Sequence, residues 1–214
     1  MVESQIRPNG VTDRKVITAL AEVPREAYVP KAVKQLAYMD DDLAITAASE
    51  TGGPRHLIAP MNFARLIQLA DIGAHDLVLD VGCALGYSSA VLGHIADAVV
   101  SLECDDELAR QAGDIMVEQN VDNAAVVTGP LNQGYKSEGP YDAIVLNGAV
   151  PAVPRALLEQ LKEGGRLVGI IGEGALGRAH LFIRHDDVFA EKVAFDATVA
   201  PLPGFSSGEP VFVF

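Results

Sequence analysis

The fold is decided by the stretch from Leu77 to Ser88, which reads LVLDVGCALGYS. Residues 77–82 form an almost unbroken apolar run that ends in a glycine, a pattern typical of a buried strand in a parallel sheet. A glycine-rich turn follows, and residues 87–96 are predicted to form a helix. Glycines let the backbone of such a turn approach a ligand closely, and the helix N-terminus beyond it favours anionic or polar groups. The stretch therefore predicts a strand, a ligand-binding turn and a helix in succession.

Strands and helices continue to alternate towards the C-terminus. Apolar runs predict four further strands, at residues 98–103, 124–128, 142–147 and 166–172. Helices are predicted from Asp105–Asp106 and from Pro154, the second running through Leu161 and stopping at Gly164. Two terminal strands are predicted to pair, at residues 180–184 and 192–199, and residues 211–214 form either a last strand or a packing segment. The pattern predicts an α/β fold with a Rossmann-like, doubly wound, mostly parallel sheet of about seven strands.

The first 75 residues differ from the rest of the chain in the spacing of their apolar residues. Apolar residues recur at helical spacing from Val16 to Val23, and a second short helix is predicted at residues 30–38. The periodicity fails at residues 40–60, and a helix resumes near Pro60. No linker separates these helices from the remainder of the chain. We therefore expect a single domain over residues 1–214, with residues 1–75 forming a helical cap and loop and residues 76–214 the α/β core.

Acidic and small residues at the ends of the first two strands of this core indicate the ligand. Glu103 ends the second strand, 17 residues after Gly86, where an acid binds the two hydroxyls of a ribose. A dinucleotide site would prefer G-x-G-x-x-G, whereas Gly82, Ala84 and Gly86 give G-x-A-x-G, preceded by Asp80 in the strand. This form is used for S-adenosylmethionine, whose ammonium group Asp80 would meet directly or through water. The alternative is a tight turn without a ligand.

Composition and charge limit the partners. Sixteen Lys and Arg against 29 Asp and Glu give a net charge of −13, which argues against duplex nucleic acid and against an anionic membrane surface. Cys83 and Cys104 are too few for a disulfide framework, and no CxxC or clustered histidine suggests a metal site. The N-terminus has no apolar segment that could serve as a signal sequence. These features predict a cytoplasmic protein without a metal ion.

Over nearly its whole length the chain resembles the protein-L-isoaspartate O-methyltransferase family. The resemblance rests on the segment VPRE at residues 23–26 and on further matching residues, which include Val29-Pro30, Ala37-Tyr38, Gly86-Tyr87, Leu102-Glu103, Pro140-Tyr141-Asp142, Pro154, Gln160-Leu161 and Gly164-Gly165-Arg166. It implies the class I methyltransferase fold with an N-terminal helical cap. It also implies methyl transfer from S-adenosylmethionine to the α-carboxylate of L-isoaspartyl residues in damaged proteins, leaving S-adenosylhomocysteine. Because a carboxylate is already ionised at pH 7, no strong general base and no Ser/His/Asp triad is expected.

The motif and the resemblance together give a set of predicted cofactor-binding residues, with two departures from the family pattern. The set comprises Asp80, Gly82, Cys83, Ala84, Gly86, Glu103, Cys104, Gly129, Pro130, Leu131 and Asn147. The family's Gly-Asp-Gly after the third strand is Gly129-Pro130-Leu131 here, and Pro130 has neither the charge nor a backbone donor. The N–H of Leu131 is then the candidate for contact with adenine. Asn147 either faces the cofactor or is a residue of the turn that ends the strand.

A larger departure falls where the family has Thr-Ile-Ser-x-Pro before the helix that begins near Pro60. The chain has His56 at the Thr position and Ile58 at the Ser position, and the preceding loop is longer by about six residues. Ile58 cannot donate a hydrogen bond. Thr46, Ser49 and Thr51 are candidate replacement hydroxyls, of which Ser49 and Thr51 are the candidate catalytic residues; the alternative, which we favour, is a solvated loop.

The same segment carries the predicted substrate site, formed by Arg55, His56 and Ile58. Arginine binds carboxylates through paired hydrogen bonds, although an exposed loop cation is the simpler interpretation of Arg55. Three hypotheses stay open: an isoaspartyl methyltransferase, a degenerate relative that binds S-adenosylmethionine without that activity, and a methyltransferase for another small carboxylate. The first implies a protein or peptide substrate. The chain is expected to be a monomer or a weak homo-oligomer.

Overall fold

The computed structural model describes residues 1–46, 54–173 and 176–205. The N-terminal region consists of short helical segments, which are a π-helical turn at Val2–Ile6, α1 at Arg14–Glu22, 3-10 turns at Arg7–Asn9, Arg25–Tyr28 and Lys31–Leu36, and α2 at Pro60–Ala70. Asp13 caps α1 by accepting a hydrogen bond from the Lys15 N–H at 2.8 Å. Between the 3-10 turns and α2, two short strands pair antiparallel, β1 at Leu43–Ala44 and β2 at His56–Leu57.

The core alternates strands and helices, as the sequence predicted. Its elements are β3 at Leu77–Val81, α3 at Tyr87–Gly93, β4 at Ala98–Glu103, α4 at Asp106–Glu118, β5 at Ala124–Thr128, β6 at Tyr141–Val150, α5 at Arg155–Leu158, β7 at Leu161–Glu173, β8 at Leu176–His185 and β9 at Val188–Asp196. Their order in the sheet is β5-β4-β3-β6-β7-β8-β9. The first five of these are parallel, and β8 and β9 add antiparallel at the β7 edge. The predicted seven-stranded, mostly parallel sheet is confirmed.

The strand order places a crevice at the carboxyl ends of β3, β4 and β6. The chain moves from β3 to β4 and β5 on one side of the sheet, and then returns to add β6 and β7 on the other. In doubly wound sheets a ligand sits at this switch point, beyond the carboxyl ends of the strands. The turn at residues 82–86 and the side chain of Glu103 both lie at that edge.

Some element boundaries differ from those predicted. The helix predicted from Pro154 through Leu161 is wrong beyond Leu158, because Leu161 already pairs with Tyr141 as the first residue of β7. The second short helix, predicted at residues 30–38, is a 3-10 segment at Lys31–Leu36. The terminal pair is confirmed as β8 and β9, although β9 ends at Asp196. The segment at residues 211–214 lies outside the described residues.

Apolar side chains form one cluster on each face of the sheet. Along β6, Ala143 and Val145 belong to one cluster, and Ile144 and Leu146 belong to the other, as the alternation of side chains in a strand requires. The cap packs on the first face, to which it contributes a set of buried residues that includes Ile17, Leu20, Phe63, Leu66 and Ile67. Residues 1–75 and the α/β core therefore share one hydrophobic cluster.

Two charged side chains connect distant parts of the chain. Asp42 accepts a hydrogen bond from the Ala59 N–H at 2.8 Å through Oδ1, and from the Ala200 N–H at 2.6 Å through Oδ2. Arg166 of β7 donates from Nε to the carbonyl of Ala70 at the end of α2, at 2.9 Å. The segment before α2, the end of α2 and the region after β9 are thereby joined. In the described parts of the chain, no helix has the length and apolar character needed to cross a membrane.

Candidate functional site

The turn between β3 and α3 is held in a left-handed backbone conformation. Gly82, Ala84 and Gly86 have φ values of 80°, 52° and 92°. At Gly82 a Cβ would lie 2.6 Å from Cδ2 of Leu202 and 3.0 Å from Nη2 of Arg55. The backbone conformation therefore favours glycine at this position, and a Cβ would displace the ends of both side chains. Ala84 adopts a similar φ with a side chain, at a cost of roughly 1–2 kcal/mol.

Glu103 is a buried carboxylate at the end of β4 whose two oxygens are fully used. Oε1 accepts from the backbone N–H groups of Cys104 at 2.8 Å and Asp105 at 3.3 Å, and from the Cys104 thiol at 3.4 Å. Oε2 accepts from the N–H of Ala84 at 2.8 Å and from Nη2 of Arg55 at 2.8 Å. The predicted ribose acid thus contacts the glycine-rich turn, while its binding of a ribose stays a prediction. Its ion pair with Arg55 was not foreseen.

Asp80 is the second buried acid of the site, and it connects three elements. It accepts hydrogen bonds from the hydroxyls of Ser88 and Ser89, each at 2.6 Å, and from the side-chain amide of Asn147. Burial raises the pKa of Asp80 to about 6, although these hydrogen bonds act in the opposite direction. Asn147 therefore lies at the carboxyl edge of β6 beside Asp80. Contact of either residue with a cofactor stays a prediction.

The two cysteines of the predicted site are free thiols. Cys83 is buried in the turn, and burial raises its pKa well above the usual value. Burial and the neighbouring Glu103 carboxylate raise the pKa of Cys104 to about 11. Both are therefore protonated at pH 7 and poor nucleophiles. Over residues 1–46, 54–173 and 176–205, no cluster of three or more His, Cys, Asp or Glu is arranged to hold a metal ion.

The segment Gly129-Pro130-Leu131 lies next to the end of β4. The Gly129 N–H donates to the carbonyl of Glu103 at 2.9 Å, and a 3-10 turn begins at Leu131. The side chain of Leu131 is buried, and its Cδ1 would lie 3.6 Å from a Cβ at Gly82. The segment therefore borders the same crevice as the turn. Its contact with adenine stays a prediction.

Arg25 is a buried cation that sequence analysis did not single out. It is fully inaccessible to solvent; its Nε donates to the carbonyl of Ala37 and its Nη2 to the carbonyl of Ile58, both at 2.6 Å. The guanidinium also lies 4.8 Å from the ring centre of Tyr87. Burial lowers the pKa of Arg25. The available signal was its place in the VPRE segment, which by itself does not reveal what the arginine contacts.

The predicted substrate residues occupy three different environments. Arg55 is buried and paired with Glu103, Ile58 is buried, and His56 is half-buried with its Nδ1 3.1 Å from the Pro54 carbonyl. The hydroxyl of Thr46 accepts from the Arg55 N–H at 2.9 Å and so stabilises the local backbone. Ser49 and Thr51 lie outside the described residues.

A narrow cavity brings residues of the two predicted sites together. It has a volume of about 10 Å³, close to the space of one water molecule, and its lining includes His56, Ile58, Gly82, Cys83, Ala84 and Asn147. Arg25 and Tyr87 also line it, and the Arg25 Nη1 and the Tyr87 hydroxyl are buried without a partner among the described residues. Unpaired polar atoms beside the turn are suited to a polar ligand. The carboxylate of Glu103 is suited to bind the two hydroxyls of a ribose when the guanidinium of Arg55 no longer contacts it.

The sheet order, the left-handed turn after β3 and the acid at the end of β4 define a class I methyltransferase fold. A family model described as protein-L-isoaspartate(D-aspartate) O-methyltransferase matches residues 1–202. The chain therefore belongs to the protein-L-isoaspartate O-methyltransferase family. The resemblance inferred from the sequence is confirmed.

Individual relatives agree with this assignment. A protein-L-isoaspartate O-methyltransferase of Methanoculleus marisnigri is 38% identical to this chain, over 80% of this chain and 76% of the relative. A protein of the same name from Koribacter versatilis is 32% identical, over 98% of this chain and 92% of the relative. A solved structure of the same name has a TM-score of 0.83 and 25% identity, and this chain covers 66% of that chain, just under two thirds. A Plasmodium falciparum structure in complex with S-adenosyl-L-homocysteine has a TM-score of 0.76 and 20% identity, and the match covers 95% of this chain and 96% of that chain. This similarity supports the fold.

Proposed function

We propose that the chain transfers the methyl group of S-adenosylmethionine to the α-carboxylate of L-isoaspartyl residues in proteins or peptides. The observation that carries the proposal is that residues 82–84 of the turn and residues of the cap line one narrow cavity, while Glu103 contacts the same turn through the Ala84 N–H. A cofactor bound at the turn would thus lie beside the cap, which separates this family from other methyltransferases. The relative in Methanoculleus marisnigri carries the name of this activity, and a protein of the same fold binds S-adenosyl-L-homocysteine.

For the cofactor, we assign the ribose hydroxyls to Glu103 and the close backbone approach to the turn around Gly82. Asp80, with Asn147 beside it, is assigned to the ammonium end. Leu131 would supply the N–H near adenine, because Pro130 has none. Cys83, Ala84, Gly86, Cys104 and Gly129 contribute backbone shape. When bound, the cofactor supplies a sulfonium methyl group that a carboxylate oxygen attacks, so that the carbon–sulfur bond breaks and its electron pair stays on sulfur.

For the acceptor, the chain has to orient a carboxylate and exclude water. Ile58, Leu57 and Phe63 give the cavity an apolar wall, which weakens solvation of the attacking oxygen and strengthens electrostatic contacts. Arg55 and His56 are the candidate groups for the substrate carboxylate. No proton has to move, because the attacking group is already an anion at pH 7.

The proposal is tested with an isoaspartyl peptide and its aspartyl twin as the matched control. Methyl transfer to the first peptide and not to the second is the expected result. Equal transfer to both, or to neither, contradicts isoaspartyl specificity. A calorimetric titration with S-adenosylhomocysteine accompanies the assay, and no binding at millimolar concentration contradicts the cofactor assignment itself.

A second candidate function rests on Ile58. The side chain at the family's Ser position is apolar and buried, and so offers no hydroxyl to the reacting groups. Glu103 and the turn would be retained in a chain that binds the cofactor without methylating isoaspartyl residues. They would equally be retained in a chain that methylates another small carboxylate. Tight binding of S-adenosylhomocysteine without transfer to the isoaspartyl peptide is the outcome that favours this candidate.

The remaining assignments concern where the chain acts and with what. We infer a cytoplasmic location, supported by two free cysteines in the chain. The net charge of −13 supports a partner other than nucleic acid. A monomer or weak homo-oligomer is proposed, and sedimentation analysis at micromolar concentration tests it.

A further inference from the structure

The ion pair between Arg55 and Glu103 occupies the position that a ribose needs. A carboxylate offers about four lone-pair positions. Four nitrogen donors contact those of Glu103 at distances from 2.8 to 3.3 Å, and the Cys104 thiol, a weak donor, lies 3.4 Å from Oε1. A ribose diol that binds this carboxylate must therefore replace at least one of these donors.

Of the two donors to Oε2, Arg55 is the one that can leave without unfolding the site. The other three nitrogen donors to the carboxylate are backbone N–H groups of Ala84, Cys104 and Asp105, and these groups belong to the glycine-rich turn and to the start of α4. Moving any of them would break the turn or the cap that Asp105 forms on α4. The guanidinium of Arg55, in contrast, leaves by rotation about side-chain bonds.

Two further observations set Arg55 apart from a purely structural buried arginine. Its backbone is held independently of its side chain, because its N–H donates to the Thr46 hydroxyl and its carbonyl accepts from the Ile45 N–H at 2.9 Å. Its Nε is buried without a partner among the described residues, although the residue is only 6% exposed. The side chain thus holds a position that leaves one of its donors unsatisfied, which opposes the ion pair.

We propose that Arg55 exchanges partners during the reaction cycle. The ribose of the cofactor displaces it from Glu103, and the freed guanidinium then receives the carboxylate of the methyl acceptor. This inference rests on the proposed function, since it takes the acceptor to be a carboxylate. Arg55 binds Glu103 through Nη2 alone, and a substrate carboxylate would be bound by the same charge-assisted hydrogen bonding.

The exchange fixes the order of binding. Before the cofactor binds, Arg55 is neutralised by Glu103 and cannot attract an anionic acceptor; afterwards it can. By thermodynamic linkage, the cofactor then raises the affinity for the acceptor by the same factor as the acceptor raises that for the cofactor. Arg55 is in this view the residue that couples the two ligands.

The first test is a calorimetric titration with S-adenosylhomocysteine alone. Arg55→Met removes the competitor, and we expect the variant to bind about tenfold more tightly than the unchanged protein, as when a competing conformation is removed. The matched control is Arg155→Met, which removes an exposed arginine paired with Glu159 outside the site and is expected to leave affinity unchanged. Tightening below threefold, or weaker binding, overturns the exchange. Should Arg55→Met fail to fold, Arg55→Gln carries the same test.

The second test measures binding of an isoaspartyl peptide with and without saturating S-adenosylhomocysteine. The unchanged protein is expected to bind the peptide at least tenfold more tightly with the cofactor product present, a coupling of ordinary size. Arg55→Met is expected to lose this gain, and a gain that persists in the variant overturns the acceptor role of Arg55. Failure of the peptide to bind in either condition contradicts the proposed function, while the first titration still decides whether Arg55 yields to the ribose.

Discussion

Replacing Arg25 by methionine tests how the cap is joined to the segment before α2. The substitution keeps an unbranched side chain as far as the position of Nε and removes the guanidinium. It breaks the hydrogen bonds from Nε to the Ala37 carbonyl and from Nη2 to the Ile58 carbonyl, and the contact with the Tyr87 ring. Because Arg25 is fully buried, water cannot easily replace these donors.

The expected loss of stability is set by these contacts. A hydrogen bond from a charged donor contributes about 1.5–3 kcal/mol, so the two bonds together stabilise the fold by about 3–6 kcal/mol. The contact with the Tyr87 ring adds about 0.5–2 kcal/mol. Burial of the cation opposes these terms by several kcal/mol, and its Nη1 has no partner among the described residues. We therefore expect a net loss of about 2–4 kcal/mol.

The assay is urea unfolding followed by circular dichroism at pH 7. Arg25→Lys, which retains the charge but reaches fewer carbonyls, is expected to fall between the unchanged protein and Arg25→Met. The matched control is Arg14→Met at the exposed start of α1, for which a change within about 0.5 kcal/mol is expected. A loss below about 1 kcal/mol for Arg25→Met would refute the reasoning, because it would mean that desolvation of the cation cancels its contacts.

Three further perturbations address the site. Ile58→Ser restores the family's hydroxyl, and we expect faster methylation of an isoaspartyl peptide in a radiometric assay, at a stability cost of about 2–5 kcal/mol for the lost apolar volume; an unchanged rate contradicts the placement of the reacting groups. The pKa of Asp80, raised to about 6, lies above that of an unfolded Asp near ~3.9. The folded chain therefore holds a proton that the unfolded chain releases, so this residue's contribution to stability falls as pH rises from about 4 to 6. The difference in unfolding free energy between Asp80→Asn and the unchanged protein should shift in favour of the variant across that range; a constant difference contradicts the raised pKa. Gly82→Ala, at φ 80°, is expected to lose at least about 1–2 kcal/mol, whereas Gly113→Ala in α4, where a Cβ meets nothing within 4 Å, should gain about 0.5–1 kcal/mol; equal effects in urea unfolding contradict the strain.

The parts of the fold that the sequence predicted are those with a local signal. The run at residues 77–82 has the continuous apolar character of a strand covered on both faces, and the turn after it carries its glycines where the backbone is left-handed. Alternation of such runs with helical spacing was enough to predict a parallel sheet. The prediction failed at Leu161, because pairing with Tyr141 across the sheet decides that residue's conformation and its apolar spacing equally fits a helix.

The contacts of the site were less accessible to sequence reasoning. Glu103 could be placed at the end of a strand, but its partner Arg55 is 48 residues away, and no local pattern pairs them. Arg25 contacts carbonyls 12 and 33 residues away. Backbone carbonyls carry no sequence signature, so a buried arginine that depends on them is visible only when the chain is folded.

The two hydrogen bonds accepted by Asp42 affect how early during synthesis the chain can complete its fold. One donor, the Ala59 N–H, is nearby in sequence, and the other, the Ala200 N–H, is 158 residues further on. During synthesis the N-terminal region emerges first, yet it can form this contact only after almost the whole chain has been translated. Contacts of such long range slow folding, because the chain loses the conformational entropy of closing a long loop before the contact can stabilise the folded state. The segment around Asp42 therefore lacks this contact for most of the time that translation takes.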